Sequence, residues 1–241
     1  MISIIVPTLD EQKVIAETLD RLRSQLTIPH EIIVSDGGSK DGTVEIARKL
    51  ADKVVVHQGT TRQTIASGRN EGAKVAQGDF LVFLDADCLV PEPDAFFSAA
   101  LSRFQAEPTL AGLTVYIRVF AETETLGDKA ILGLMNFVVR LRNNMLKKGD
   151  CAGGEFQMVR KEAFRNVGGY REDLVTREDR DLFKRLAKIG RTMSDSSLVV
   201  FHSGRRAHAV GWPRLIGLFV ANTLSFHLRG RMISKEWTVV R

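Results

Sequence analysis

Glu31-Ile32-Ile33-Val34-Ser35-Asp36-Gly37-Gly38-Ser39-Lys40-Asp41-Gly42-Thr43 is the stretch on which the fold turns. A β-branched run ends in an acid, the glycines permit a tight turn with positive φ, and Asp41 or Thr43 can cap the helix that follows. The same rhythm runs outward along the first half. Strand-like runs fall at 3–6, 31–35, 53–57 and 80–84, and helical stretches fall near 11–25, 43–51, 61–77 and 93–105. Such alternation predicts an α/β architecture, with a Rossmann-like, mostly parallel central sheet, helices on both faces, and ligands at the carboxyl ends of the strands.

The 241 residues carry 34 Lys and Arg against 29 Asp and Glu, a net charge of +5, and 44% are hydrophobic. That balance suits a folded domain and excludes a disordered tail or a collagen-like repeat. A pI near 9.4 allows attraction to phosphates or an anionic membrane face without choosing between them. Cys88 and Cys151 lack the spacing of a zinc or disulfide framework, which points to a reducing compartment and to buried, inert thiols. The first residues read as a strand without a basic leader region, so a cytoplasmic protein is expected. The apolar run 215–228 contains Asn222, Thr223 and His227. It would span about 21 Å as a helix, short of a hydrocarbon core of roughly 30 Å.

Three polar loops should share one sheet edge: Pro7-Thr8-Leu9-Asp10-Glu11, the glycine-rich loop from Asp36, and Asp85-Ala86-Asp87. Neither G-x-G-x-x-G nor G-x-x-x-x-G-K-[ST] is present, so dinucleotide-binding and P-loop readings drop out. Asp85 and Asp87 would repel one another unless a cation or strong donors compensate, and hard oxygen ligands suit Mg²⁺ or Mn²⁺. The bland alternative is a pair of solvated acids. Alternation along a strand points the two side chains apart, so both can serve one ion only if the chain turns there. Arg62 and Arg69, seven residues apart on the expected helix, would share a face that meets a diphosphate or simply faces solvent.

Six ordered motifs resemble those of family 2 glycosyltransferases with the GT-A fold. They are Ile4-Ile5-Val6-Pro7-Thr8, Asp36 through Thr43, Gly68-Arg69-Asn70-Glu71-Gly72, Phe83-Leu84-Asp85-Ala86-Asp87, Gly153-Gly154, and Glu178-Asp179. The resemblance covers about residues 2–202 and implies an inverting, metal-dependent transferase using a nucleotide-sugar donor. It implies donor contacts from Pro7, Thr8, Glu11, Asp36, Arg69, Asn70, Asp85, Gly153 and Gly154. It assigns Asp87 of the D-x-D motif to a Mg²⁺ or Mn²⁺ ion, with Asp85 and His202 as further metal contacts. The general base would be Asp179, with Glu178 as the next candidate. The competing reading makes Thr176 an N-cap and Asp179 its reciprocal acid, with no catalytic duty.

On this reading residues 1–202 form the transferase domain, divided into a nucleotide-sugar-binding half (1–110) and an acceptor and catalytic half (111–202). Residues 203–241 form a basic, amphipathic helical extension with seven Lys and Arg against one acid. The extension suits either an interfacial segment on an anionic membrane or a core-packed helix with solvated ends. The expected partners are therefore a nucleotide-sugar donor and an acceptor hydroxyl or phosphate that can be lipid-linked, met peripherally at the inner membrane face, with no nucleic acid. Two competitors are an inactive nucleotide-sugar-binding scaffold, disfavoured by retention of Asp87 and Asp179, and a haloacid dehalogenase-like phosphatase, disfavoured by Leu89.

Overall fold

The computed structural model describes residues 1–229 and residue 233. Within the basic extension, Arg231, Lys235, Glu236 and Arg241 therefore lie outside the described residues. The first half alternates as the sequence indicates: β1 (Ile2–Thr8), α1 (Ile15–Gln25), β2 (His30–Asp36), α2 (Thr43–Leu50), β3 (Lys53–Val56), α3 (Ile65–Val75), β4 (Phe80–Leu84). A short β5 (Cys88–Leu89) and α4 (Pro93–Ala106) follow. The second half contains β6 (Leu110–Val119), α5 (Leu126–Arg140), a π-helical turn (Leu141–Met145), β7 (Phe156–Arg160), α6 (Lys161–Asn166), α7 (Glu178–Leu186) and β8 (Arg191–His202). Two helices, α8 (Arg205–Val210) and α9 (Trp212–Arg229), complete the described chain.

One sheet runs in the order β3-β2-β1-β4-β7-β6-β8-β5. The first four strands are parallel, in register from Ile4 to Ile32 and from Ile4 to Val82. The second half departs from the parallel expectation: β7 is antiparallel to β4 and β6, β6 and β8 are parallel, and β5 is antiparallel to β8. The sheet is therefore mixed. Its central strands are buried on both sides, which explains why they read as continuous apolar runs. Ile2, Ile4 and Val6 pack with α1, α2 and α4 through Leu19, Leu22, Ala47 and Phe97. Ile5 and Ile33 point the other way, onto Ala66 and Ala73 of α3 and Phe183 of α7. A Cβ on Gly72 would run into Ile5, so glycine there lets α3 lie close on the sheet.

Helix starts differ from the expected ones for local reasons. The helix expected from residue 11 begins at Ile15, because the Glu11 and Gln12 N–H groups donate across to Thr43 Oγ1 (2.8 Å) and Asp41 Oδ2 (3.1 Å). The helix expected from residue 61 begins at Ile65, with Thr64 as N-cap accepting from the Ser67 N–H (3.1 Å). Arg62 consequently lies in the preceding loop and shares no helix face with Arg69.

Candidate active site

Parallel pairing of β1, β2 and β4 brings their following loops to one edge, as the alternation requires. Here Asp36 is fully buried and acts as the organiser of its own turn. Its Oδ1 accepts from the N–H groups of Gly38 (2.9 Å) and Ser39 (2.7 Å). Its Oδ2 accepts from Thr8 Oγ1 (2.8 Å) and Ser39 Oγ (2.5 Å). Asp10, at φ +53, accepts the Lys40 N–H at 2.7 Å and so ties the first loop to the second. Thr8 and Asp36, expected to touch donor, thus spend their side chains on loop shape, and half-buried Pro7 precedes Thr8 at the end of β1.

Arg69 is the hub of the site. It is 1% exposed, and its guanidinium donates to Asp85 Oδ1 (2.9 Å), Glu178 Oε1 (2.9 Å) and the Gly154 carbonyl (3.0 Å). Burial opposes its charge, but Asp85, Tyr170 and Glu178 more than compensate and raise its pKa above the usual guanidinium range. Enclosed in this way, the Arg69 guanidinium serves the carboxylates. Asn70 is engaged likewise. Its amide donates to the Tyr170 carbonyl (2.9 Å) and Glu172 Oε1 (2.8 Å) and accepts the Tyr170 N–H (2.9 Å), clasping the 168–172 turn. Gly154 is glycine because a Cβ there would collide with Arg69, and one at Gly153 would meet Glu155. Both glycines answer to these side chains.

Glu178 and Asp179 open α7 behind Arg177, an N-cap at φ +66 whose side chain caps nothing. The capping-box reading of Thr176 and Asp179 is absent from this geometry. Both acids are buried, at 8% and 6% exposure. Burial and the neighbouring Asp179 push the Glu178 carboxyl well above the usual carboxylate range against the pull of Arg69. Burial also raises Asp179, although the Arg180 N–H donates to its Oδ1 at 2.7 Å. Arg180 turns its side chain to fully buried Asp150, at 2.6 and 2.8 Å.

Asp87 faces the opposite wall. It accepts from Ser203 Oγ and lies 3.3 Å from Arg205 Nε, while Arg205 also donates to both oxygens of Glu11 at 2.6 and 2.7 Å. Glu11 and Asp87, far apart in sequence, are thus joined through a residue of the extension. His202 lies on β8 opposite Cys88, with Nδ1 3.9 Å from Glu155 Oε1. Burial raises the Glu155 carboxyl. Glu155 Oε2 and His202 Nε2 are both buried without a hydrogen-bond partner. The sequence reading passed over Glu155 and Arg205; the acid directly after Gly153-Gly154 was a usable signal for the first, and nothing local marked the second.

The expected metal set was Asp85, Asp87 and His202. Among the described residues no three His, Cys, Asp or Glu side chains converge to hold an ion. Arg69 bonds Asp85 and Ser203 bonds Asp87. The donor chemistry still fits Mg²⁺ or Mn²⁺, which keep several waters and bind through one or two carboxylates plus substrate phosphates. The orphaned Glu155 Oε2 and His202 Nε2 are hard-oxygen and imidazole ligands awaiting a partner in the same region.

The sheet and its edge define the GT-A glycosyltransferase class. Mannosyltransferase PcManGT from Pyrobaculum calidifontis, solved with GDP-Man and Mn²⁺, superposes with a TM-score of 0.72 at 22% identity, over 95% of this chain and 64% of that one. Residues 1–349 of S. aureus TarS, solved with UDP-GlcNAc, superpose at 0.64 and 21% identity, over 83% and 57%. The family described as Glycosyl transferase family 2 matches residues 3–168, and the chain belongs to it. The Succinoglycan biosynthesis protein ExoA of Rhizobium meliloti (strain 1021) is 30% identical over 219 residues, 87% of this chain. A PGL/p-HBAD biosynthesis glycosyltransferase of Mycobacterium bovis (strain BCG / Pasteur 1173P2) is 34% identical over 113 residues, 45% of this chain. The chain spans 65% and 44% of the length of these two relatives.

Proposed function

We propose that this chain is an inverting glycosyltransferase that moves a sugar from a nucleoside-diphosphate donor to an acceptor hydroxyl or phosphate. The observation that carries the reading is the gathering of Asp85, Glu178 and Asp179 around buried Arg69, with Glu155 near Asp85, at the strand ends of a GT-A sheet. Asp179 is the base: its one hydrogen bond among the described residues comes from the adjacent N–H, whereas Glu178 is tied to Arg69. It takes the acceptor proton as the acceptor oxygen attacks the anomeric carbon and the nucleoside diphosphate leaves from the opposite face. Asp87 and Asp85 would hold the Mg²⁺ or Mn²⁺ ion, which when bound neutralises charge on the leaving diphosphate. Arg205 moves aside from Asp87, and the Pro7, Thr8, Glu11 and Asp36 loops frame the nucleoside.

A lipid-linked acceptor at the inner face of the membrane is supported by exposed apolar residues on α5 and the π-helical turn, with Leu134 at 65%, Phe137 at 63% and Met145 at 73%. Among the described residues no helix is long and apolar enough to cross a membrane. Burial raises the pKa of both cysteine thiols, which keeps them inert. The test is thermal shift and calorimetry with UDP-, GDP- and dTDP-sugars and Mn²⁺, since a ligand selective for the folded state raises its melting temperature. At least one donor should bind, and Asp87→Ala should abolish metal-dependent binding while Asp85→Ala weakens it. Full-strength binding by Asp87→Ala removes the metal assignment.

A further inference from the structure

The strongest uncommitted feature lies on the far side of Glu178 and Asp179 from the nucleotide loops. Arg177, Arg180 and Lys184 are spaced three and four residues apart, from the N-cap of α7 along one of its faces. The π-helical turn adds Arg142, whose Nε lies 2.7 Å from Asp150 Oδ2 in an ion pair, beside the two bonds that Arg180 makes to the same carboxylate. Asp150 is fully buried, so one carboxylate draws in two guanidinium groups. Arg177 reaches only the hydroxyl of Thr223, and Lys184 has no ion pair, among the described residues.

Asp150 and Asp179 are the acids facing this group, against four cations. Two positive charges are left unbalanced. Burial and the neighbouring guanidinium groups of Arg177, Arg180 and Arg142 accordingly depress the Lys184 ammonium, and burial and Arg180 depress Arg177. These cations reach solvent, with Lys184 exposed, and planar guanidinium forks match phosphate oxygens in pairs. The location is specific, because the residue that grips Asp150 also hydrogen-bonds Asp179 through its own N–H. An anion seated here is next to the proposed base and separated from Asp85 by Arg69.

We propose that Arg142, Arg177, Arg180 and Lys184 form a cradle for a phosphate or pyrophosphate group carried by the acceptor, which holds the attacking oxygen at Asp179. The inference rests on the transferase reading and names its acceptor class. A phosphorylated lipid and a soluble sugar phosphate share this chemistry. Exposed Met145 and Leu146, three and four residues after Arg142, offer a hydrocarbon chain somewhere to lie.

Inorganic pyrophosphate is titrated calorimetrically into the full chain with EDTA present, so that without a cation Asp85 and Asp87 repel the probe from the donor side. The wild-type chain should bind it. Lys184→Gln and Arg177→Gln should each weaken binding about tenfold, the loss of one charge-assisted hydrogen bond, with melting temperature nearly unchanged. Lys184 makes no ion pair among the described residues, so its substitution reads the cradle without disturbing the fold. No binding by the wild type at millimolar pyrophosphate, or wild-type affinity in both variants, overturns the proposal. Dodecyl phosphate in neutral detergent micelles separates the sources: tighter binding than inorganic phosphate identifies a lipid, and equal binding a soluble phosphate. A parallel titration of UDP and GDP with Mn²⁺ tests the transferase reading by itself, since its failure leaves the pyrophosphate result to decide the cradle alone.

Discussion

The two halves of the molecule hold their polar groups in different ways. Within residues 1–110, Asp36 bonds Gly38, Ser39 and Thr8, and Asp10 bonds Lys40, so neighbouring loops satisfy one another across adjacent parallel strands. Where residues after 110 take part, the partners are remote: Arg69 to Glu178, Glu11 to Arg205, Asp128 to His208 and Trp212. The first arrangement is built from short motifs and repeats a common plan. The second is a set of clasps that close the site only after the whole chain has folded, so damage there should reach both stability and chemistry.

The sharpest separation of site from scaffold is Asp179→Asn, which keeps shape while removing the charge that accepts a proton. Transfer should fall about 10²- to 10⁴-fold with melting temperature and donor affinity nearly unchanged. Substantial turnover by this variant would pass the base assignment to Glu178. Arg69→Leu tests the clasp itself. It strands Asp85 and Glu178 without their partner and should cost about 3–5 kcal/mol, read in urea unfolding. A loss below about 1 kcal/mol would mean that the remote contacts are worth no more than surface ion pairs.

Next in size is Asp128, which joins three elements. Its buried carboxylate takes the Thr125 N–H in the α5 capping box and bonds from His208 Nε2 (2.8 Å) and Trp212 Nε1 (2.7 Å), pinning α8 and α9 to α5. Burial alone would raise its pKa, but these bonds hold it below the usual carboxylate range. Because the folded value lies below the unfolded one, its contribution is present above about pH 4 and lost as pH falls through the folded value. Asp128→Ala should therefore cost about 2–3 kcal/mol at pH 7. Its melting temperature should converge on that of the wild type in acid, and a constant gap from pH 7 to 2 would refute the linkage. The local half should be gentlest: Thr64→Ala removes one helix cap and costs about 1 kcal/mol. A larger loss would show that α3 depends on its cap more than on packing against Ile5.

Legibility followed the same division. The four parallel strands, the three loops on one edge and the acids at 85, 87, 178 and 179 were readable, because apolar β-branched runs and turn glycines act over a few residues. The partners of Arg69 and Asn70 were not legible, because helical spacing shows which residues share a face but not what that face meets. Arg62 was misplaced because Thr64, rather than a residue near 61, caps α3.

By itself the sequence determined an α/β sheet with polar loops at its carboxyl edge and an ordered set of carboxylates, since local patterning and short motifs encode both. Tertiary structure alone decided that β7 runs antiparallel with Glu155 just before it, and that Arg69 neutralises acids from two halves. It alone decided that Arg205 spans Glu11 and Asp87, and that four cations crowd around Asp150. Those outcomes are charge balances between groups brought together from opposite ends of the chain, and no local pattern records which charges will meet.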